Sequence, residues 1–294
     1  MSSDCVRILV ARHSVFYTPL LVTIAGGFLE DEGLEASYSV KPPNRSTFDL
    51  LAAGEVDIIQ SAVSSNWSRM ESGISDLPLH FAQINRRDGF WITGRTPEPF
   101  KWNTLEGSTL LADHGPQPLA MLRYAASLEK VVWNRVRVLD MGTSDDIEAA
   151  FRAGQGDFCH LQGPAAQGLE ADGLGYVVGS VGQCLPMLSF SSLTARREYL
   201  MTSAAGAFMK GYREAISWLM TASAGEVASV LLPHFEKISI ELLTASIKAY
   251  QDLGCWTDDP SIPEEQYDQS LEVFMAAGAI SNKYLYRDVV VAPP

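Results

Sequence analysis

Two stretches of the chain repeat one phrase. Residues 50–64 read LLAAGEVDIIQSAVS and residues 150–163 read AFRAGQGDFCHLQG. Each has an apolar helical end, then Ala-Gly, two further residues, an Asp, and a short strand-like run closing on small or polar residues. The joint has a mechanical reading. Gly54 and Gly154 end a helix by adopting positive φ. Asp57 and Asp157 open the next strand, where their side chains are expected to bond the turn backbone. A chain that uses one joint twice is expected to be built as two similar halves.

The flanking pattern agrees. Strand-like runs fall at Arg7–Arg12, Leu34–Val40, Val56–Ser61, Leu79–Ile84 and Phe90–Gly94, then again at Ser108–Asp113, Arg135–Met141, Asp157–Gln162 and Tyr176–Ser180. Helical patterns lie between them. Thr18-Pro19 reads as an N-cap and first helical residue, with Gly33 as a left-handed stop. Further helices are expected from Ser46 to Gly54, at Ser65–Ser72, from Gln117, at Ser144–Phe151 and at Pro164–Glu170. After Tyr199 only helical patterns appear until the tail DVVVAPP. Alternating strands and helices in two sets imply an α/β fold of two lobes with mainly parallel sheets.

Composition permits this and removes other classes. A chain of 294 residues, 47% hydrophobic and 19% charged, can bury one large or two medium cores. No apolar run reaches the roughly 18 residues of a membrane span. The formal charge is −13, and the nearest candidate for a basic patch, the isolated pair Arg86-Arg87, makes no patch for nucleic acid. Cys5, Cys159, Cys184 and Cys255 are widely spaced and fit reduced thiols. The opening MSSDCVRILVARH lacks a basic and apolar leader, so the chain as written reads as cytoplasmic; a periplasmic protein trimmed of its leader reads the same way.

In open α/β sheets ligands lie beyond the carboxyl ends of the strands. That rule selects His13, Phe16, Tyr17, Ser61, Ser64, Ser65 and Asn66 in the first half. In the second it selects His114, Gly115, Gln117, His160 and Gln162. The loop DHGPQP, residues 113–118, is the best anion-site candidate, because a helix N-terminus offers free N–H groups and partial positive charge; the plain alternative is a strand–helix turn punctuated by proline. The serines of SSNW either touch ligand or only cap a helix. Phe16, Tyr17 and Phe190 either stack on a planar ligand or pack in the core. Arg12, Arg45 and Arg87 either pair with an acidic ligand or stand in solvent. Cys159 beside His160 is no catalytic dyad, since neighbouring strand residues point to opposite faces. No histidines sit at a metal-ligand spacing, so neither a transition metal nor another cofactor is expected.

At this point the chain resembles a known superfamily. FYTPLLVTIAGGFLEDEGLEASY, LLAAGEVDII, TLEGSTLLADHGPQPLAMLRYA and AFRAGQGDF follow the order and spacing of the type II periplasmic solute-binding proteins, in the branch for sulfonates, nitrate, taurine and thiamine pyrimidines. The tail IKAYQDLGCW with PEEQYDQSLEVFMAAGAI is similar as well. The resemblance implies two lobes joined by two crossings near Arg87–Arg95 and Ser189–Ala195. It implies lobe one at 1–92, lobe two at 93–192, and a return over 193–294 whose last helices pack on lobe one. It implies a small ligand, an organic anion or a heteroaromatic, clamped by hinge closure, with an ABC permease as partner. Enzymes on the same scaffold, of lyase, decarboxylase or pyrimidine-precursor synthase type, remain the alternative, beside a sensor read by a partner protein. The cysteine-rich run of the pyrimidine synthases is missing: GQCLPMLSFSS, residues 182–192, has Cys184 alone, which argues against that chemistry.

Overall fold

The computed structural model describes residues 4–113 and 115–294. Its ten described strands form two mixed five-stranded sheets. The first contains β1 (Asp4–Val10), β2 (Leu34–Val40), β3 (Ile58–Ser61), β4 (Leu79–Asn85) and β10 (Ser191–Ala195), in the order β2-β1-β3-β10-β4. The second contains β5 (Phe90–Gly94), β6 (Thr109–Ala112), β7 (Arg137–Asp140), β8 (Phe158–Gln162) and β9 (Tyr176–Ser180), in the order β7-β6-β8-β5-β9. The two orders are the same once β6 to β9 are matched to β1 to β4 and β5 to β10. In each sheet one strand, β10 or β5, runs against its neighbours on both sides, and the other four point one way.

Those two reversed strands are the ones entered by crossing. The chain passes from β4 to β5 through residues 86–89 and returns from β9 to β10 through residues 181–190. Phe90–Gly94 therefore belongs to the second sheet and Ser191–Ala195 to the first. Each sheet is completed by a strand from beyond a crossing, so neither half closes its hydrogen-bond ladder from its own strands alone.

The repeated phrase performs the expected turn but a different bond. Gly54 and Gly154 have φ of 70° and 84°. The acid after each reaches across the ladder rather than back into the turn. Asp57 Oδ2 accepts the backbone N–H of Arg7 at 2.9 Å, and the Asp57 N–H donates to the Arg7 carbonyl at 2.9 Å. Asp157 Oδ2 accepts the N–H of Thr109 at 2.7 Å, and its own N–H donates to the Thr109 carbonyl at 2.8 Å. Each acid clamps the third strand of its half to the first.

Helices α1 (Thr18–Ala25), α2 (Thr47–Ala52) and α3 (Val63–Glu71) connect the first set of strands; α4 (Pro116–Leu128), α5 (Ser144–Arg152) and α6 (Ala165–Ala171) connect the second. The start of α1 differs from the sequence reading. Ser14 caps a 3-10 turn over Val15–Tyr17, so Thr18 already lies inside the helix and bonds back to the Val15 carbonyl. Gly33 is left-handed as expected, but it ends a 3-10 turn over Glu30–Glu32. The short α7 (Val181–Cys184) lies in the second crossing.

Helices α8 (Arg197–Leu200), α9 (Ser203–Thr221), α10 (Ala224–Leu231), α11 (Ile240–Leu253), α12 (Glu264–Ala276) and α13 (Tyr286–Val289) follow β10. Helices α9 and α10 cover α1, while α11 also packs on α6 and α12 on both α3 and α4. The tail ends in α13 and a single bridge from Val290 to His80 on β4. One continuous apolar core runs through both halves, with a satellite of Leu9, Phe48, Leu50, Leu51, Val56 and Ile59 beneath α2. No helix among the described residues is long and apolar enough to cross a membrane.

The first crossing is held tightly. Tyr250 of α11 donates its hydroxyl proton to the Gly89 carbonyl at 3.0 Å and accepts the Gly163 N–H at 2.7 Å, so it joins the crossing to the loop after β8. Phe16 lies against Gly89, and a Cβ there would stand 2.2 Å from its ring. Phe16 is fully buried among Tyr17, Phe190 and Tyr250 and has little room to retreat. Gly89→Ala should therefore cost about 1–3 kcal/mol by overpacking. Calorimetry should show a fall in Tm of roughly 2–4 °C for each kcal/mol, partly restored in the Gly89→Ala/Phe16→Leu double variant.

Candidate functional site

The carboxyl ends of the parallel strands of the two sheets face each other, and the polar residues that follow them meet. From the first half come Arg12 after β1, Tyr17 from the 3-10 turn, Gln60 and Ser61 closing β3, and Ser64 in the first turn of α3. From the second come Asp113 after β6, Gln117 in the first turn of α4, and His160 and Gln162 on β8. Arg12 Nη1 lies 2.8 Å from Asp113 Oδ2 and also donates to Ser144 Oγ at 3.1 Å. Ser64 Oγ donates to Gln117 Oε1 at 2.7 Å, and Gln117 Nε2 donates to the Phe190 carbonyl at 2.6 Å. Ser14 Oγ donates to the Gly163 carbonyl at 3.1 Å. Each of these links joins the two halves or ties one of them to a crossing.

The electrostatics are those of a part-buried ion pair set among uncharged polar groups. The Asp113 side chain is 4% exposed and that of Arg12 35%. Burial pushes the Asp113 carboxyl up, but the Arg12 charge, its hydrogen bond and the Gly115 N–H outweigh that and hold it below its ordinary value. The buried Tyr17 hydroxyl lies against Gln162 and Gln60 and is raised, chiefly by burial. His160 is fully buried and stacks on Phe90 with ring centroids 4.4 Å apart. Burial drives it down to about 3, so its ring is neutral. Neither ring nitrogen has a hydrogen-bond partner among the described residues, and Gln162 Oε1 has none either. These three stand among the buried polar atoms without a partner among the described residues, here beside Tyr17, Arg12 and Asp113.

The sequence-based candidates divide accordingly. Tyr17, Ser64, Gln117, His160 and Gln162 come together, and Ser61 is buried at the end of β3 beside Gln60. His13 does not join them. Its Nδ1 meets the Tyr38 hydroxyl at 2.8 Å, its Nε2 meets the His234 carbonyl at 2.9 Å, and it stacks near Phe235, so both nitrogens are taken. Phe16 is core. Asn66 is turned into the first half, bonded to the Pro78 carbonyl at 2.8 Å and His80 at 3.3 Å. The Phe190 ring packs on Phe16 and Phe90, and only its carbonyl reaches Gln117. Ser65 is half-buried. His114 lies outside the described residues.

The expected anion site at Gly115 is corrected by its own loop. The Gly115 N–H donates to Asp113 Oδ1 at 2.7 Å, and the Leu119 N–H is bonded to the Gly115 carbonyl at 3.2 Å. A carboxylate of the chain already sits at this helix start, so a second anion would meet repulsion there. Among the described residues, no group of three His, Cys, Asp or Glu side chains is placed to hold a metal.

Two members of the cluster, Asp113 and Gln60, do not stand out as site residues in the sequence: Asp113 reads as the end of a strand and the start of the candidate loop, and Gln60 as part of a strand. Arg12 stays open there between an acidic ligand and solvent. A signal was available: RILVAR and STLLAD, the apolar runs that open the two halves, both close on a charged residue, one basic and one acidic.

The fold is that of the periplasmic binding proteins, and the solved structures that share it include sulfonate- and nitrate-binding members. No family model matches the chain. The protein named Putative binding protein YtlA of Bacillus subtilis (strain 168) is 24% identical over 290 residues, which cover 97% of this chain and 87% of that one. The ligand binding component of an ABC-type import system from Staphylococcus aureus, solved with zinc bound, superposes with a TM-score of 0.77 at 18% identity, covering 98% of this chain and 97% of that one. The periplasmic aliphatic sulphonate binding protein SsuA from Escherichia coli gives 0.75 at 16% identity, over 99% and 93%.

The Arg12–Asp113 pair sets a pH signature. Because the Asp113 carboxyl titrates below its unfolded value of about 4, its contribution to stability is present above that value and is lost as pH falls through the folded one. In Arg12→Gln the charge is gone and burial governs, so the Asp113 pKa should rise above the ordinary value, as read by carbon-13 NMR of the carboxyls. Its contribution then reverses sign and is lost as pH climbs past about 4. The Tm deficit of Arg12→Gln against the parent protein should be larger at pH 7 than at pH 4; an equal deficit at both would remove the pair from this role.

Proposed function

We propose that the chain is a solute-binding protein that closes two lobes on a small polar molecule. Lobe one comprises the first sheet with its helices, and lobe two the second. The observation that carries the reading is the meeting of strand-end polar groups from both sheets around His160, a fully buried imidazole whose nitrogens have no partner among the described residues. Such a group is costly when empty and well placed to receive a bonded ligand. The cross-lobe links at Arg12, Ser64 and Ser14 are few and polar, as suits surfaces that part and meet again. The two crossings supply the hinge.

The likeness to the Staphylococcus aureus import component and to SsuA supports a role in uptake outside the cytoplasmic membrane, with an ABC-type permease as the receiving partner.

The test is retention. Purified protein is mixed with a small-molecule extract, separated by gel filtration, denatured, and the released compounds weighed by mass spectrometry. At least one compound should be enriched and recovered unchanged in mass. Calorimetry with that compound should then show affinity falling about tenfold to a hundredfold for His160→Ala and for Gln117→Ala, the scale of one or two buried hydrogen bonds. No enrichment, or recovery of an altered compound, would remove the reading.

A further inference from the structure

The charges where the two halves meet constrain what can bind between them. We propose that the bound molecule is amphoteric, carrying an acidic group that takes Arg12 and a cationic group that takes Asp113; this rests on the solute-binding reading above. Arg12 and Asp113 are the only ionised groups that act on Tyr17 and on His160 among the described residues. They come from opposite halves and meet at 2.8 Å. With the cleft closed on itself, they satisfy each other.

A ligand must disturb that pair to use either member. A purely anionic molecule on Arg12 would leave the nearly buried Asp113 with only the uncharged Gly115 N–H and stand beside it with like charge. A purely cationic molecule on Asp113 would leave Arg12 facing it. Arg12 has one further acceptor, Ser144 Oγ, which carries no charge. A molecule with both charges replaces one cross-lobe ion pair by two and leaves neither group stranded. It also spans the lobes as the ion pair does, so that binding and closure are driven by the same contacts.

The uncharged groups fit the middle of such a molecule. Neutral His160 presents one donor and one acceptor. Gln162 Oε1 is a free acceptor, and the hydroxyl of Tyr17 lies beside it. A backbone with polar substituents between its two charged ends would pair with these.

The test uses an equimolar mixture of amino acids, aminosulfonates and aminophosphonates with their deaminated and decarboxylated counterparts, together with a cell extract, assayed by retention and mass spectrometry. The parent protein should enrich compounds bearing both charges. In Asp113→Asn, affinity for the enriched compound should fall about tenfold to a hundredfold, the loss expected for a charged hydrogen bond, and the deaminated anion should become the better ligand. Arg12→Gln should shift selection toward the decarboxylated cation. Circular dichroism confirms that both variants fold. Enrichment of compounds of one sign only, or of neutral compounds, overturns the proposal while leaving a solute-binding protein in place. Unchanged selection in Asp113→Asn overturns it as well. Failure to retain anything from mixture or extract removes the solute-binding reading itself.

Discussion

A carboxylate at the head of a strand, bonded to the backbone of the strand beside it, fixes where that strand starts and therefore where it stops. Asp57 and Asp157 do this in the two sheets, each accepting an N–H from the first strand of its half. The consequence appears at the far end of β3 and β8, four or five residues on. There the register delivers Gln60 and Ser61 on one side and His160 and Gln162 on the other. A slip by one residue would turn each of these to the opposite face. The polar cluster between the sheets thus depends on two acids that lie well away from it.

The same sheets are knitted together by exchange. β5 and β10 run against their neighbours because the chain enters them from the other half, and each sits inside its sheet rather than at an edge. The crossings are short and are gripped from the C-terminal helices. Tyr250 spans from Gly89 to Gly163, and Trp256 Nε1 donates to the Phe16 carbonyl at 3.2 Å and Asn85 Oδ1 at 2.9 Å. The last third of the chain therefore does more than cover the first half. It ties the first crossing to the loop after β8.

Much of this architecture was legible in the sequence because it rests on local chemistry. Helix-stopping glycines, strand-length apolar runs and two rounds of alternation gave the two-sheet plan. What stayed hidden depends on long-range pairing. The clamp from Asp57 reaches a strand 50 residues earlier in the chain, and no local pattern announces it. His13 and Asn66 stand in the right positions for a cleft, yet Tyr38, His234 and His80 claim their polar atoms from elsewhere in the fold. Arg12 and Asp113 were visible as charges at strand ends, but only their distance shows them to be partners. At Gly115 the helix start suggests an open anion site, and only the folded loop shows that the carboxylate of Asp113, two residues earlier, takes the Gly115 N–H.

The likeness of the two halves has a consequence where they face each other. A body made of two identical halves, related by a twofold axis, sets like against like along that axis. A basic residue at the strand end would confront another basic residue, and closing would work against their repulsion. Here the two halves depart from that symmetry: by the clamps at Arg7 and Thr109, Asp113 after β6 corresponds to Ala11 after β1, not to Arg12. Arg12 therefore meets an acid rather than a second base, and the contact between the halves is attractive and has a positive side and a negative side that two equal halves could not supply.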